Sequence, residues 1–149
     1  MKGTYCLLLD LPDEARIRVG ALGMRRFPAG MYVYVGSALS GIEQRVARHA
    51  RKTKKKRWHA DYLLAKANVI SIIAIPSQTK ETECAVARAL LTSEGAGVVV
   101  EGFGSSDCDC ESHLIHFGSE DPAWVSEAVS RTLTMLPCIY PSNAAAGRE

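Results

Sequence analysis

The chain has 149 residues, 47% of them hydrophobic, which is enough for one sizeable core and the usual size of a single domain. Its apolar runs fall far short of the roughly 20 residues that span a bilayer, the N-terminus lacks a signal-peptide pattern, and the five cysteines (Cys6, Cys84, Cys108, Cys110, Cys138) are an odd number in mixed contexts, so we expect a cytoplasmic protein without a membrane span or a secreted disulfide framework. The net charge of +2 hides an asymmetry: residues 1–60 carry 13 Lys/Arg against 4 Asp/Glu and residues 61–149 carry 5 against 12, which suggests a cationic face suited to a polyanion.

Gly3 to Asp10 is a short run of strand formers closed by the turn residues Asp10-Leu11-Pro12-Asp13. Arg16 to Val19 and Met24 to Phe27 flank Gly20 and Gly23 and resemble a hairpin. Met31 to Gly36 follows as a strand whose alternation puts Tyr32 and Tyr34 on one face and Met31, Val33 and Val35 on the other. Ser40-Gly41-Ile42-Glu43 has the capping-box pattern and predicts a helix from about Gly41 to Lys52. On it Ile42, Val46 and Ala50 form the packing stripe, Arg45 and His49 lie at its edge, and Arg48 projects nearly opposite. His59 to Lys66 is a short helix, and Val69 to Ile75 a strand buried on both faces and stopped by Pro76. Thr79 can cap a third helix through about Ser93, with Glu81 and Glu83 in the first turn, where the dipole favours them. Gly102 to Cys110 is a loop, Ser112 to Phe117 a strand, and Asp121-Pro122 opens a last helix to about Met135. Residues 1–136 form one domain in this reading, and 137–149 a frayed tail.

Function concentrates in Gly30 to Trp58. Arg48, Arg51, Lys52, Lys54, Lys55, Lys56 and Arg57 place seven positive charges within ten residues, a source of sequence-independent affinity for nucleic acid or else a solvated loop. Trp58 and His59 beside them offer a stacking platform for unpaired bases, unless Trp58 seats the next helix. Tyr32 is a packing residue or a substrate contact. Cys108, Cys110, His113 and His116 are the ligand types of a zinc site, but on a strand His113 and His116 face opposite sides. The spacing therefore argues against zinc. The loop holding Ser105, Ser106, Asp107, Cys108 and His113 fits better as donors near an active face, or as an ordinary polar turn.

Gly3-Thr4-Tyr5, then Tyr34-Val35-Gly36-Ser37-Ala38 leading into Arg45-Val46-Ala47-Arg48-His49, resemble the two half-motifs and the arginine of the GIY-YIG nuclease superfamily. His59-Ala60-Asp61-Tyr62-Leu63-Leu64, Glu83-Cys84 and Gly102-Phe103-Gly104-Ser105-Ser106-Asp107-Cys108 are similar to its small Uri-type branch, so that the resemblance covers nearly the whole chain. It implies an α/β (α+β) fold with a small antiparallel three-stranded central sheet flanked by helices, an inserted hairpin, and an extra C-terminal strand and helix. It also implies metal-dependent hydrolysis of phosphodiester bonds in DNA, with repair as a setting. Tyr5 and Tyr34 would relay a proton or position water. Gly36 would let a phosphate or metal approach the backbone. Arg45 would clamp the phosphate, and His49 would act beside it.

Mg²⁺ or Mn²⁺ requires a carboxylate, yet Arg88 stands where the superfamily has its metal-binding Glu. Glu83, in the same helix, is the substitute, or else a residue that serves the helix dipole. Arg88 also raises a rival expectation, a nucleic-acid-binding module that kept the fold without turnover. In a third reading the lysines are solvated and the cysteines bind metal. The oligomeric state is left open.

Overall fold

The computed structural model describes residues 1–51, 54–56, 58–77, 79–118 and 121–136. Its elements in chain order are β1 (Gly3–Leu11), β2 (Ala15–Arg18), β3 (Met24–Phe27), β4 (Gly30–Ala38), α1 (Ile42–Ala50), α2 (His59–Leu64), β5 (Asn68–Pro76), α3 (Glu81–Leu90), β6 (Leu114–His116) and α4 (Pro122–Thr134). The central sheet is antiparallel in the order β5-β1-β4-β6. It has four strands where three are expected, because the C-terminal strand β6 pairs with Tyr32, Val33 and Tyr34 of β4. The expected hairpin is present as a separate two-stranded sheet, β2-β3, closed by a 3₁₀ turn at Gly20–Leu22. None of the described helices is long and apolar enough to cross a membrane.

Alternation along β1 and β4 divides the interior. Tyr5, Leu7, Leu9 and Leu11 of β1, with Tyr32, Tyr34 and Ala38 of β4, pack toward α1, α2 and the hairpin residues Ile17 and Phe27. Cys6 and Leu8, with Met31, Val33 and Val35, face α3 and α4 through Val86, Ala87, Leu90, Val125, Val129 and Leu133. Tyr32 belongs to the packing, its hydroxyl donating to the Pro28 carbonyl.

Several local expectations are corrected. β5 is an edge strand rather than one buried on both sides: Ile73 and Ile75 pack toward α3 and α4, while Ile70 and Ile72 are 48% and 41% exposed on the uncovered face. No capping box forms on α1, since Gly41 is the N-cap and the Glu43 carboxylate takes the N-terminal amine of Met1 instead. The buried stripe of α1 ends on His49 and leaves Ala50 exposed. At 3.6 residues per turn, seven residues fall about 20° short of two turns and eight overshoot by about 80°, so His49 sits closer to the line through Ile42. At the start of α3, Thr79 does not cap the helix: Lys80 is the N-cap and no side chain caps it, while the Ser77 hydroxyl accepts the Thr79 N–H and pairs with the Thr82 hydroxyl. Lys52, Arg57, Cys138 and the tail from 137 lie outside the described residues.

Candidate functional site

The β1–β4 register sets Tyr5 directly opposite Gly36. A β-carbon at 36 would stand 2.5 Å from the Tyr5 hydroxyl oxygen and 2.6 Å from its ring. The room that glycine makes accommodates the Tyr5 ring, while Gly36 itself lines the same concavity as Tyr5 and Tyr34. The Tyr5 hydroxyl meets His49 Nε2 at 2.8 Å, and its ring lies 6.5 Å from that of Tyr34. Tyr5 and Tyr34 border an open cleft of about 260 Å³, into which Arg45, His59, Lys80, Glu83, Ser106 and Asp107 also project. Six segments of the chain thus converge on one concavity. His49 does not line it: the imidazole is 2% exposed and sits behind Tyr5.

Burial sets the protonation states. It pushes the Tyr5 phenol up to about 12, with the Arg45 charge opposing. Burial, then Tyr5 and Glu83 nearby, push Tyr34 well above the usual phenol range. The same desolvation drives His49 down to about 4. At neutral pH both phenols keep their protons and the imidazole is neutral. The phenols act as hydrogen-bond donors.

Glu83 is 6% exposed, with Oε2 2.7 Å from His113 Nδ1. Its Oε1 is buried and has no hydrogen-bond partner among the described residues. Arg88 points elsewhere: it is exposed and paired with Asp109 at 2.9 Å. Of the two carboxylate positions weighed from sequence, Glu83 is the one at the cleft. Ser105 is buried and its Oγ has no partner among the described residues, and Asp107 is paired with Lys80.

Next to the cleft, Cys84 of α3 meets Cys108, Cys110 and His113 of the long loop. One ligand atom from each lies within 4.8 Å of the others, a set able to hold a metal ion. His116 takes no part, since it stacks on Tyr32 with centroids 4.5 Å apart and donates from Nε2 to the Ala29 carbonyl. The expectation that four ligands would not close was right for His116 but missed Cys84. Burial first, and the Cys110 and Cys108 thiols next, push the Cys84 thiol up to about 12.

A family profile described as Domain of unknown function DUF123 matches residues 4–135. The chain belongs to this family. No curated protein and no solved structure matches it. Within the DUF123 segment fall every cleft residue named above and all four members of the thiol–imidazole cluster.

The basic run of this DUF123 chain is partly used up internally. Arg48 does not project outward: its guanidinium holds both oxygens of buried Asp61 at 2.8 and 3.0 Å. It also lies over the Trp58 ring at 4.2 Å, and Arg45 lies over the same ring at 4.3 Å. Trp58 is thus seated by the protein's own cations rather than offered as a stacking platform. Arg45 also donates to the Ser37 carbonyl at 3.0 Å, which fixes its aim along the cleft. Lys54 donates to the carbonyls of Arg48 and His49, capping the C-terminus of α1. Arg51, Lys55 and Lys56 are exposed. His59 accepts the Gly104 N–H at Nδ1, 2.8 Å away, so the neutral ring carries its proton on Nε2.

The signal missed in sequence was a stripe. Lys80, Cys84 and Arg88 recur every four residues on α3, and Asp107, Cys108 and Asp109 answer them in the loop, with Lys80–Asp107 and Arg88–Asp109 as ion pairs.

Proposed function

We propose that the cleft binds a phosphodiester backbone and hydrolyses it, as a metal-dependent endonuclease of GIY-YIG type acting on DNA in the cytoplasm, with repair as a setting. The observation that carries this reading is the convergence of Tyr5, Tyr34, Arg45 and Glu83 on one cleft from four different elements. The antiparallel pairing of β1 with β4 agrees with the fold that the resemblance implies, to which the β2-β3 hairpin is an insertion. The residues fit a hard divalent cation, because Glu83 Oε1 is a buried carboxylate oxygen that has no partner among the described residues. Mg²⁺ or Mn²⁺ held there would supply Lewis-acid charge at the phosphoryl group.

The chain's own residues carry the rest. The planar fork of Arg45 neutralises the charge that gathers on the phosphoryl oxygens. Tyr34 donates its phenolic proton in a hydrogen bond to the same group. His49, held neutral, fixes the direction of the Tyr5 hydroxyl, which positions an attacking water, while Glu83 serves the cation. Arg51, Lys55 and Lys56 supply affinity without sequence preference.

A second reading is a nucleic-acid-binding module without turnover. It is favoured by Tyr5 and Tyr34, which keep their protons at neutral pH, and by His49, which lies buried behind Tyr5 and does not line the cleft. Cleavage of branched, nicked and single-stranded DNA with Mg²⁺ or Mn²⁺ separates the two. The nuclease reading expects cutting that Tyr34→Phe and Arg45→Ala abolish. Salt-sensitive binding with no cutting by wild type leaves the module, and absence of binding at low salt overturns both.

A further inference from the structure

We infer that Cys84, Cys108, Cys110 and His113 form a structural zinc site that clasps the loop 102–113 to α3 and holds Glu83 in its orientation. The inference does not depend on the nuclease reading.

The distances suit this ion. Zn–S of about 2.3 Å and Zn–N of about 2.0–2.1 Å in a tetrahedron place sulfur and nitrogen ligands about 3.6 Å apart. His113 Nε2 lies 3.6 Å from the Cys108 sulfur and 3.8 Å from that of Cys84. Three thiols and an imidazole are a soft donor set with four protein ligands, which is the composition of a closed structural zinc site and a poor one for Mg²⁺ or Ca²⁺. Cys108 and Cys110 are separated by one residue, so both can reach one ion from a single turn of the loop, while Cys84 arrives from the helix face opposite.

The imidazole is oriented for coordination. Its Nε2 faces the thiols and its Nδ1 meets Glu83 Oε2 at 2.7 Å, the carboxylate–histidine–metal relation that fixes a ligand's tautomer and raises its basicity. The remaining oxygen of the same carboxylate is the unpartnered one next to the cleft. One side chain thereby joins the two sites. The flanking ion pairs Lys80–Asp107 and Arg88–Asp109 hold the loop on either side of the ligands.

Metal analysis of the full chain purified under reducing conditions without added chelator tests this directly. One equivalent of zinc per chain is expected, and cobalt exchanged into the site should show the visible bands of tetrahedral thiolate coordination. Cys84→Ser should lose the metal and His116→Ala should keep it. Glu83→Ala should weaken zinc affinity by about ten- to a hundredfold while leaving the stoichiometry at saturation intact. If Cys84→Ser fails to fold, chelator treatment of wild type should lower the melting temperature, and zinc, but not magnesium, should restore it. Wild-type protein that carries no zinc and takes up no cobalt overturns the inference. So does metal retained by Cys84→Ser and lost by His116→Ala. None of these readouts involves nucleic acid, so failure of the zinc site and failure of the nuclease reading are distinguishable.

Discussion

The two faces of the central sheet are built from alternate residues of the same strands, yet they are furnished for different work. Toward α3 and α4, Leu8, Val33 and Val35 are wholly buried among aliphatic side chains. Toward α1 and α2 the same strands carry Tyr5 and Tyr34, and the packing includes His49, Arg48 and Asp61. A strand's period of two lets one face be specified for dry packing while the next residue along is free to bear a polar group. Polarity on the second face is mostly answered from within: Asp61 is 1% exposed but engaged by Arg48 and by the Trp58 N–H, and His49 pairs with Tyr5 through Nε2, although its buried Nδ1 has no partner among the described residues.

If the contrast is real, substitutions should separate along it. The largest effect should come from the dry face, where Leu8→Ala removes a fully buried side chain and costs about 2–5 kcal/mol in urea unfolding, with nucleic-acid affinity of the folded protein unchanged. Next comes pH. His49 stays neutral when folded down to about pH 4 but protonates near 6.5 when unfolded. The unfolded chain then binds more protons across that window, so stability is complete above about pH 6.5 and falls by up to about 3 kcal/mol as pH drops to about 4. His59, also lowered by burial, acts in the same direction. The difference between wild type and His49→Gln in unfolding at pH 7 and pH 4.5 isolates the His49 share, and an identical slope in both would assign the effect elsewhere.

On the proposed nuclease reading, Arg45→Ala should lower DNA cleavage by about a hundredfold or more, with a stability change of about 1 kcal/mol, since the side chain lies at the cleft edge. A large loss of stability in that variant would put Arg45 with the structural cations, like Arg48. The smallest effect belongs to Lys55→Ala with Lys56→Ala. Melting should not move, and the slope of log affinity against log salt should fall by roughly 0.7–0.9 for each phosphate contact removed.

How much of this could be foreseen depended on whether the determining partner was near in sequence. The faces of β4 follow from alternation alone, so Tyr32 and Tyr34 fall where expected. The grouping of Tyr5, Tyr34, Arg45 and Glu83 came from the motif resemblance, and its geometry from the β1–β4 register. Misreadings arose where a distant group intervened. Glu43 fits a capping box until the N-terminal amine competes for its carboxylate. Helical spacing alone points Arg48 outward, but Trp58 and Asp61 from the next helix engage it. Cys84 was read within its own helix, and its meaning depends on a loop more than twenty residues later. β5 has the composition of a buried strand, but only topology shows that it is at the edge.

One glycine draws the line between tolerance and intolerance most finely. Adding a single methyl group at Gly36 would leave the backbone pairing of β1 and β4 free to form, because the strand's hydrogen bonds do not involve the β-carbon. The methyl would nevertheless act as a wedge under the Tyr5 ring, levering the hydroxyl away from His49. Charge, polarity and strand register would all be preserved, and the cleft would still lose its alignment. At this position an absent atom, rather than a side chain, keeps the site in order.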